Sequence, residues 1–333
     1  MTITFVGPVQ SRFVKNDIAI LQRKHTLKII DVNVGRGGSA ALNLIKLELR
    51  ILRSLFGSDV LFFWFADYYS LIPTIIARLL RKRVYVVAGG YDVTYTPEVK
   101  SGARVRPFRW FLVRNTHRFA TRNFPVSNYA QHLLDTNSVH HGPSTVIYNA
   151  VEYDRFPFSD APRQMRALTV TQTDMVLEYI RKGIDVFMNV ARIMPDVGFD
   201  LIGIRGPALE HARHEASDIK NVTIIEGPMD DKHIMKYYQT DSAYCQLSMD
   251  ETFGLATAEA MSCGAIPVVS EVPSHREVTG GTEFIVDRKN IAEIAEAIRK
   301  SFTADNAKRK LCSDYVRKFD IENRAKLLLE LVK

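Results

Sequence analysis

From residue 2 to residue 88, short apolar runs alternate with longer stretches that carry one apolar face, and that alternation leaves few folds open to the chain. Residues 2–7 read as a strand that breaks at Gly7-Pro8, and residues 13–21 as a helix. A second strand over 27–34, a loop at Arg36-Gly37-Gly38 and an amphipathic helix over 40–55 follow. Residues 60–65, 70–80 and 83–88 repeat the order strand, helix, strand. The pattern predicts an α/β fold with a doubly wound parallel sheet covered on both faces. Ligands of such sheets bind past the carboxyl ends of the strands, which points to Gly7-Pro8 and to Gly89-Gly90-Tyr91-Asp92. Paired glycines admit a close backbone approach, and the Asp92 beside them either meets a ligand or caps the next segment.

The chain then turns basic and aromatic. Arg104, Arg106, Arg109, Arg114, Arg118 and Arg122 are interleaved with Phe108, Trp110, Phe111 and Phe119. A helix of this composition can hold an anionic membrane surface or an acceptor phosphate, with Trp110 at the interface; it can equally bury its aromatic side and leave its arginines in water. Residues 123–134 read as a strand end feeding a helix capped by Ser127, and 144–156 as a short strand, after which Pro157, Ser159, Asp160 and Pro162 mark a linker. At 333 residues the chain exceeds one typical core, so two domains are expected, with a boundary near residue 155.

The second half repeats the alternation. Strands are expected over 166–170, 199–204, 222–225, 242–247, 266–269 and 284–286, and helices over 186–193, 231–238, 291–302 and 311–332. Residues 171–180 read as irregular and 274–277 as a loop. The chemistry concentrates in residues 248–270. There Gly254 stands where a polar loop passes into a helix, so the N–H groups around Phe253, Gly254, Leu255 and Ala256 should point outward as an anion site. Glu251 lies just ahead of that helix, and Glu259 comes one to two turns into it. Carboxylates repel a phosphate, so their natural partners are neutral hydroxyls, which points to sugars.

The spacing from Glu251 to Glu259 encloses Phe253-Gly254-Leu255 and continues as Glu259-Ala260-Met261-Ser262-Cys263-Gly264-Ala265-Ile266-Pro267-Val268-Val269. This resembles the E-x7-E signature of retaining family 4 glycosyltransferases of the GT-B fold. The resemblance covers nearly the whole chain and implies two Rossmann-like domains facing a cleft. Residues 1–155 would form the acceptor side and 156–310 the nucleotide-sugar-binding side, while a helix over 311–333 would pack back on the first domain. It implies transfer of a sugar from a nucleotide-diphosphate-sugar donor to a glycan or lipid-linked acceptor, with retention and without a metal or other cofactor. The departing phosphate would itself accept the acceptor's proton.

Residue by residue, the resemblance implies that Lys182, with Arg181 as a second positive charge, and the N–H groups around Gly254 grip the diphosphate. Gly7 and Pro8 would approach it from the facing domain. Glu251 would bind sugar hydroxyls, Glu259 the ribose, and the loop holding Gly227 and Met229 the base. Asp92 is the candidate catalytic-site acid where many relatives carry a histidine. Thr171-Gln172 stands where many relatives have Gly-Arg. These two departures keep open a catalytically silent GT-B module that binds an anionic glycan or lipid for a partner enzyme.

Composition bounds the partners. A net charge of +7 favours anionic ones, and nucleotide diphosphates, an anionic membrane surface and nucleic acid all satisfy it; since charge alone speaks for nucleic acid, none is expected as partner. Three cysteines without a C-x-x-C pair fit a reducing cytoplasm, with a peripheral position on the inner face of the membrane compatible with the basic helix. The most apolar region, 61–80, is interrupted by Asp67 and Arg78, which argues against a membrane span. His211 and His214 sit on a charged helix and read as solvent-facing. No dinucleotide fingerprint, P-loop or G-x-S-x-G elbow occurs.

Overall fold

The computed structural model describes residues 1–33, 39–137 and 140–333. The loop expected at Arg36-Gly37-Gly38 and the end of the strand expected to reach residue 34 lie outside the described residues. Two compact units divide the chain: Met1–Pro97, Ser101–Ala150 and Ile321–Lys333 form one, and Glu98–Lys100 with Val151–Asp320 the other. The divisions fall at Val151 and Ile321, against expected limits of 155 and 310.

The first unit runs β1 (Thr2–Gly7), α1 (Arg12–Gln22), β2 (Thr26–Asp31), α2 (Ala40–Leu55), β3 (Val60–Trp64), α3 (Leu71–Leu79), β4 (Arg83–Ala88), α4 (Pro107–Phe119), β5 (Arg122–Pro125) and α5 (Asn128–Asn137). Its five parallel strands lie in the order β2-β1-β3-β4-β5. The chain moves outward from β1 to β2 and then crosses back to β3, so the strand order reverses between β1 and β3. Val6, Leu61, Phe63, Val84 and Val86 face one side of this sheet and pack with Leu47, Ile51 and Leu55 of α2, Ala77 of α3 and Val113 of α4. Three successive crossovers therefore lay α2, α3 and α4 on a single face.

The other face carries α1 and the helix Ile321–Leu331, which pack together. Between them Arg324 Nε and Nη2 donate to Asp17 at 2.6 and 2.7 Å, and Trp64 Nε1 donates to the same carboxylate at 2.6 Å. Arg324 Nη1 also donates to the carbonyls of Ile147 and Tyr148, both at 2.8 Å. Both members of the ion pair are buried.

The second unit continues with β6 (Gln164–Thr173), α6 (Val176–Arg181), α7 (Ile184–Ile193), β7 (Gly198–Ile204), α8 (Gly206–Glu215), β8 (Val222–Glu226), α9 (Asp231–Thr240), β9 (Asp241–Gln246), α10 (Leu255–Ser262), β10 (Ile266–Ser270), α11 (Pro273–Thr279), β11 (Phe284–Val286), α12 (Ile291–Phe302) and α13 (Asn306–Val316). The helix Ile321–Leu331, α14, returns the chain to the first unit. Six parallel strands lie in the order β11-β10-β9-β6-β7-β8. Here the order reverses between β6 and β9, because the chain steps from β6 to β8 in one direction and returns past β6 to place β9.

Four local expectations need correction. Residues 171–180 are not irregular: β6 runs on to Thr173 and α6 follows. Residues 274–277 belong to α11, whose start was marked by Pro273 at the first turn. Residues 144–156 are not a strand: they make isolated bridges at Ser144 and Val151 and a 3-10 turn over Tyr153–Arg155. The single helix over 311–332 is two, because Asp320 is extended (φ −59°, ψ 147°) after a 3-10 turn over Arg317–Phe319, a break hidden among good helix formers.

Candidate active site

In a doubly wound sheet the crevice forms where adjacent strands send their connections to opposite sides. In the second unit that point lies between β6 and β9, and both segments expected to carry chemistry leave the sheet there. After β6 the chain forms α6 and ends it at Arg181, Lys182 and Gly183; after β9 it runs through Leu247 to Gly254. The two are tied together. The Met249 N–H donates to the Arg181 carbonyl at 2.8 Å, and Gly183 passes so close to Leu247 that a Cβ would lie 2.0 Å from that carbonyl oxygen. With φ at +72° as well, position 183 admits only glycine without strain.

This packing places Lys182 Nζ 2.7 Å from Glu251 Oε2. The Glu251 side chain retains 17% exposure. Burial alone would raise its pKa, but the charges of Lys182 and Arg181 outweigh that and hold it at about 2, against an ordinary 4.5. The backbone of Glu251 is fixed from α11, where Ser274 Oγ donates to its carbonyl at 2.6 Å. Arg181 braces the same loop: its guanidinium donates to Glu178 at 2.9 Å and to the Asp250 carbonyl at 2.9 Å. The guanidinium expected as a second diphosphate charge is thus paired with Glu178.

Gly254, in the left-handed region at φ +86°, turns the chain into α10, whose first N–H groups have no carbonyl one turn earlier. Around this turn three side chains converge. A Cβ at Gly254 would lie 3.4 Å from Thr257 Oγ1, 3.7 Å from Glu251 Cγ and 3.8 Å from His275 Cδ2. Among the described residues Thr257 Oγ1 and His275 Nε2 are buried polar atoms without a hydrogen-bond partner. His275 Nδ1 lies 2.9 Å from the Ser270 carbonyl, an acceptor only, so Nδ1 carries the hydrogen and the neutral ring leaves a lone pair on Nε2. Burial pushes the His275 pKa down and favours that neutral form.

Glu259 lies on the buried side of α10, where Tyr238 Oη donates to it at 3.3 Å. Phe253 is an internal anchor, its ring edge-on to Phe319 at 5.1 Å, while Leu255 opens α10 half-buried. Gly227 follows β8, its N–H held by the Ile204 carbonyl at 3.0 Å, and Met229 is half-buried beyond it. In the first unit Gly7 ends β1 with Pro8 next to it, at that sheet's own reversal point.

Asp92 lies in the turn that follows β4. It is fully buried, its Oδ1 accepts from the Gly90 and Gly89 N–H groups at 2.9 and 3.3 Å, and its Oδ2 faces buried His117 at 3.5 Å. Oδ1 thus closes its own turn, while Oδ2 and His117 Nε2 are, among the described residues, buried polar atoms without a hydrogen-bond partner.

Residues 178–319 match the family described as glycosyl transferases group 1. The match falls within the second unit. Among curated proteins, this chain is 23% identical to the processive diacylglycerol alpha-glucosyltransferase of Acholeplasma laidlawii over 255 residues, covering 72% of this chain and 77% of that one. Its whole length superposes on sucrose-phosphate synthase of Thermosynechococcus elongatus, with a TM-score of 0.81, 14% identity and 98% of that chain covered. HepE of Anabaena, solved with UDP, superposes with a TM-score of 0.77, also at 14% identity, over 100% of this chain and 99% of that one. The architecture is the GT-B one, with two Rossmann-like α/β units.

Two residues of this site escape a reading of the sequence. His275 looked like part of a polar loop. Arg288, a lone arginine just past β11, donates to the carbonyls of Leu247 and Ile180 at 3.2 and 3.4 Å and so braces both site segments.

Proposed function

We propose that the chain moves a glycosyl group from a nucleoside-diphosphate sugar to a glycan or lipid-linked acceptor, with retention of anomeric configuration and without a metal ion. The observation that carries this is the convergence, at the start of α10, of the Lys182–Glu251 ion pair with the unpaired Thr257 Oγ1 and His275 Nε2. The first N–H groups of α10 and the Lys182 ammonium suit a diphosphate. A lone pair on His275 and the Glu251 carboxylate suit hydroxyl donors. A sugar diphosphate presents both chemistries within one molecule.

In the reaction the bond from the anomeric carbon to the diphosphate oxygen breaks, leaving positive charge on the sugar and negative charge on the leaving group. The acceptor oxygen then bonds to the same face, and its proton passes to the departing diphosphate oxygen. Fixed dipoles and charges that do not reorganise during this separation lower the barrier. Glu251 stabilises the sugar side and Lys182 the leaving-group side. Because these groups supply the charge, a chelator should leave the rate unchanged. A loss of activity restored by a divalent cation would refute metal independence.

A thermal-shift panel with UDP, GDP, ADP and their sugar conjugates is the first test, since a ligand at ~100 times its dissociation constant stabilises by about 2.7 kcal/mol. The complex of HepE with UDP and the glucosyltransferase named above support starting with UDP-glucose. A shift with one nucleotide family, followed by transfer with α-anomeric product, is the expected result. No shift with any of them would overturn the donor site.

His275→Ala should raise the KM for the sugar nucleotide by roughly three- to tenfold, the worth of one hydrogen bond, with a smaller change for the bare nucleotide. Equal KM values in wild type and variant would remove His275 from the site.

A further inference from the structure

A helix of a soluble α/β unit normally shows apolar residues to the sheet and polar residues to water. In the first unit three neighbouring helices break that rule on their outer side. Along α2, Leu42, Ile45 and Leu49 are exposed at i, i+3 and i+7, on a different side from the buried Leu47, Ile51 and Leu55, and Phe56 continues beyond at 78% exposure. On α3, Ile72, Ile75 and Leu79 repeat the same spacing, Leu79 with 78% exposure. On α4, Trp110 turns toward the core while Phe108 and Phe111 stand out. Since α3 packs against both α2 and α4, the three stripes lie side by side on one layer. The exposed large apolar residues of the second unit form no comparable layer: Met165 on β6, Met175 and Leu177 at the start of α6, Ile193 on α7 and Leu311 on α13.

The charges on this layer have one sign. Lys46, Arg50 and Arg53 on α2, Arg78 on α3 and Arg114 and Arg118 on α4 are exposed, and the only acidic residue in the three helices is Glu48. We propose that the outer face of α2, α3 and α4 docks on an anionic lipid surface. Leu, Ile and Phe side chains enter the boundary between headgroups and acyl chains, while the longer Lys and Arg side chains reach lipid phosphates beside them. The near absence of acidic groups is the charge complement of such a surface, and a patch spanning three helices exceeds what isolated exposed residues account for. The docking belongs to the first unit alone and holds whether or not the second unit transfers sugar.

The test is flotation of the full chain with vesicles of phosphatidylcholine, alone or with about one-third phosphatidylglycerol, an anionic fraction that draws polybasic surfaces. The chain should float with the anionic vesicles only, and added salt should weaken the binding. Leu49→Glu/Leu79→Glu/Phe108→Glu should lower the bound fraction roughly tenfold or more while the nucleotide-induced thermal shift stays unchanged. Should that variant fail to fold, Arg50→Glu/Arg114→Glu tests the same face through charge. The proposal falls if wild type stays behind with anionic vesicles, or if a folded variant binds like wild type. It also falls if sedimentation shows a dimer that the substitutions dissociate without altering lipid binding. Vesicle binding without any nucleotide shift would uphold the docking and overturn the donor reading instead.

Discussion

Glu251→Gln should reduce turnover by on the order of a hundredfold or more while changing the affinity for the bare nucleoside diphosphate by less than about threefold. The substitution keeps the shape and removes the charge. That charge faces Lys182 at 2.7 Å, so the variant also releases the ammonium from its partner and strengthens its hold on a diphosphate. Ground-state binding of the nucleotide therefore has reason to persist or improve, whereas the positive charge developing on the sugar loses its nearest compensating group. Single-turnover kinetics and calorimetric nucleotide titration separate the two effects. Equal turnover would remove Glu251 from the mechanism. The pH dependence has a definite sign. With its folded pKa depressed to about 2, Glu251 contributes stability that is fully present above its unfolded value near 4.5 and is lost progressively as pH falls from there through about 2. An acidic limb of activity at higher pH must therefore come from another group.

Arg324→Met should destabilise the first unit by about 3–5 kcal/mol, the usual cost of leaving one member of a buried ion pair uncompensated. Asp17 would keep only the Trp64 N–H among the partners described above, and the carbonyls of Ile147 and Tyr148 would lose their shared donor. For a unit of this size the midpoint should fall by roughly 6–20 °C. Calorimetry should show the loss in one transition while the nucleotide-stabilised second unit keeps its own. Adding Asp17→Leu should recover a large part of it, because the penalty arises from the orphaned charge rather than from the missing attraction. A single variant that melts like wild type would show that the pair contributes little.

Much of this was legible in the sequence, for identifiable reasons. The parallel sheets follow from apolar runs alternating with amphipathic stretches, a pattern set by burial on both faces. Glu251 and Gly254 stand out because charged and flexible residues interrupt a run of helix and strand formers at a strand end. Lys182 was visible as a cation ahead of a helix, but its partner was not, since an ion pair between residues 69 positions apart depends on which strands are neighbours. His275 acts through a buried contact with the Ser270 carbonyl and Arg288 through the carbonyl of Leu247, 41 positions away, and no spacing announces either. Asp92 reads the same in sequence whether it meets substrate or holds its own turn; that its Oδ1 takes the Gly90 N–H shows only in the folded chain. The helix at 107–119 posed a similar choice, and the structure divides it: Trp110 goes inward, Phe108 and Phe111 outward.

The return of residues 321–333 to the first unit has a consequence for biosynthesis. Every strand of that sheet, and Asp17 with them, leaves the ribosome before the second unit is made, yet the arginine that neutralises Asp17 is translated after the whole of it. The unit that starts first is thus completed last, and in the interval one face of its sheet lacks a helix and holds an unpaired acid. The second unit draws on no part of 321–333, so all of it is synthesised while the first still waits for that helix.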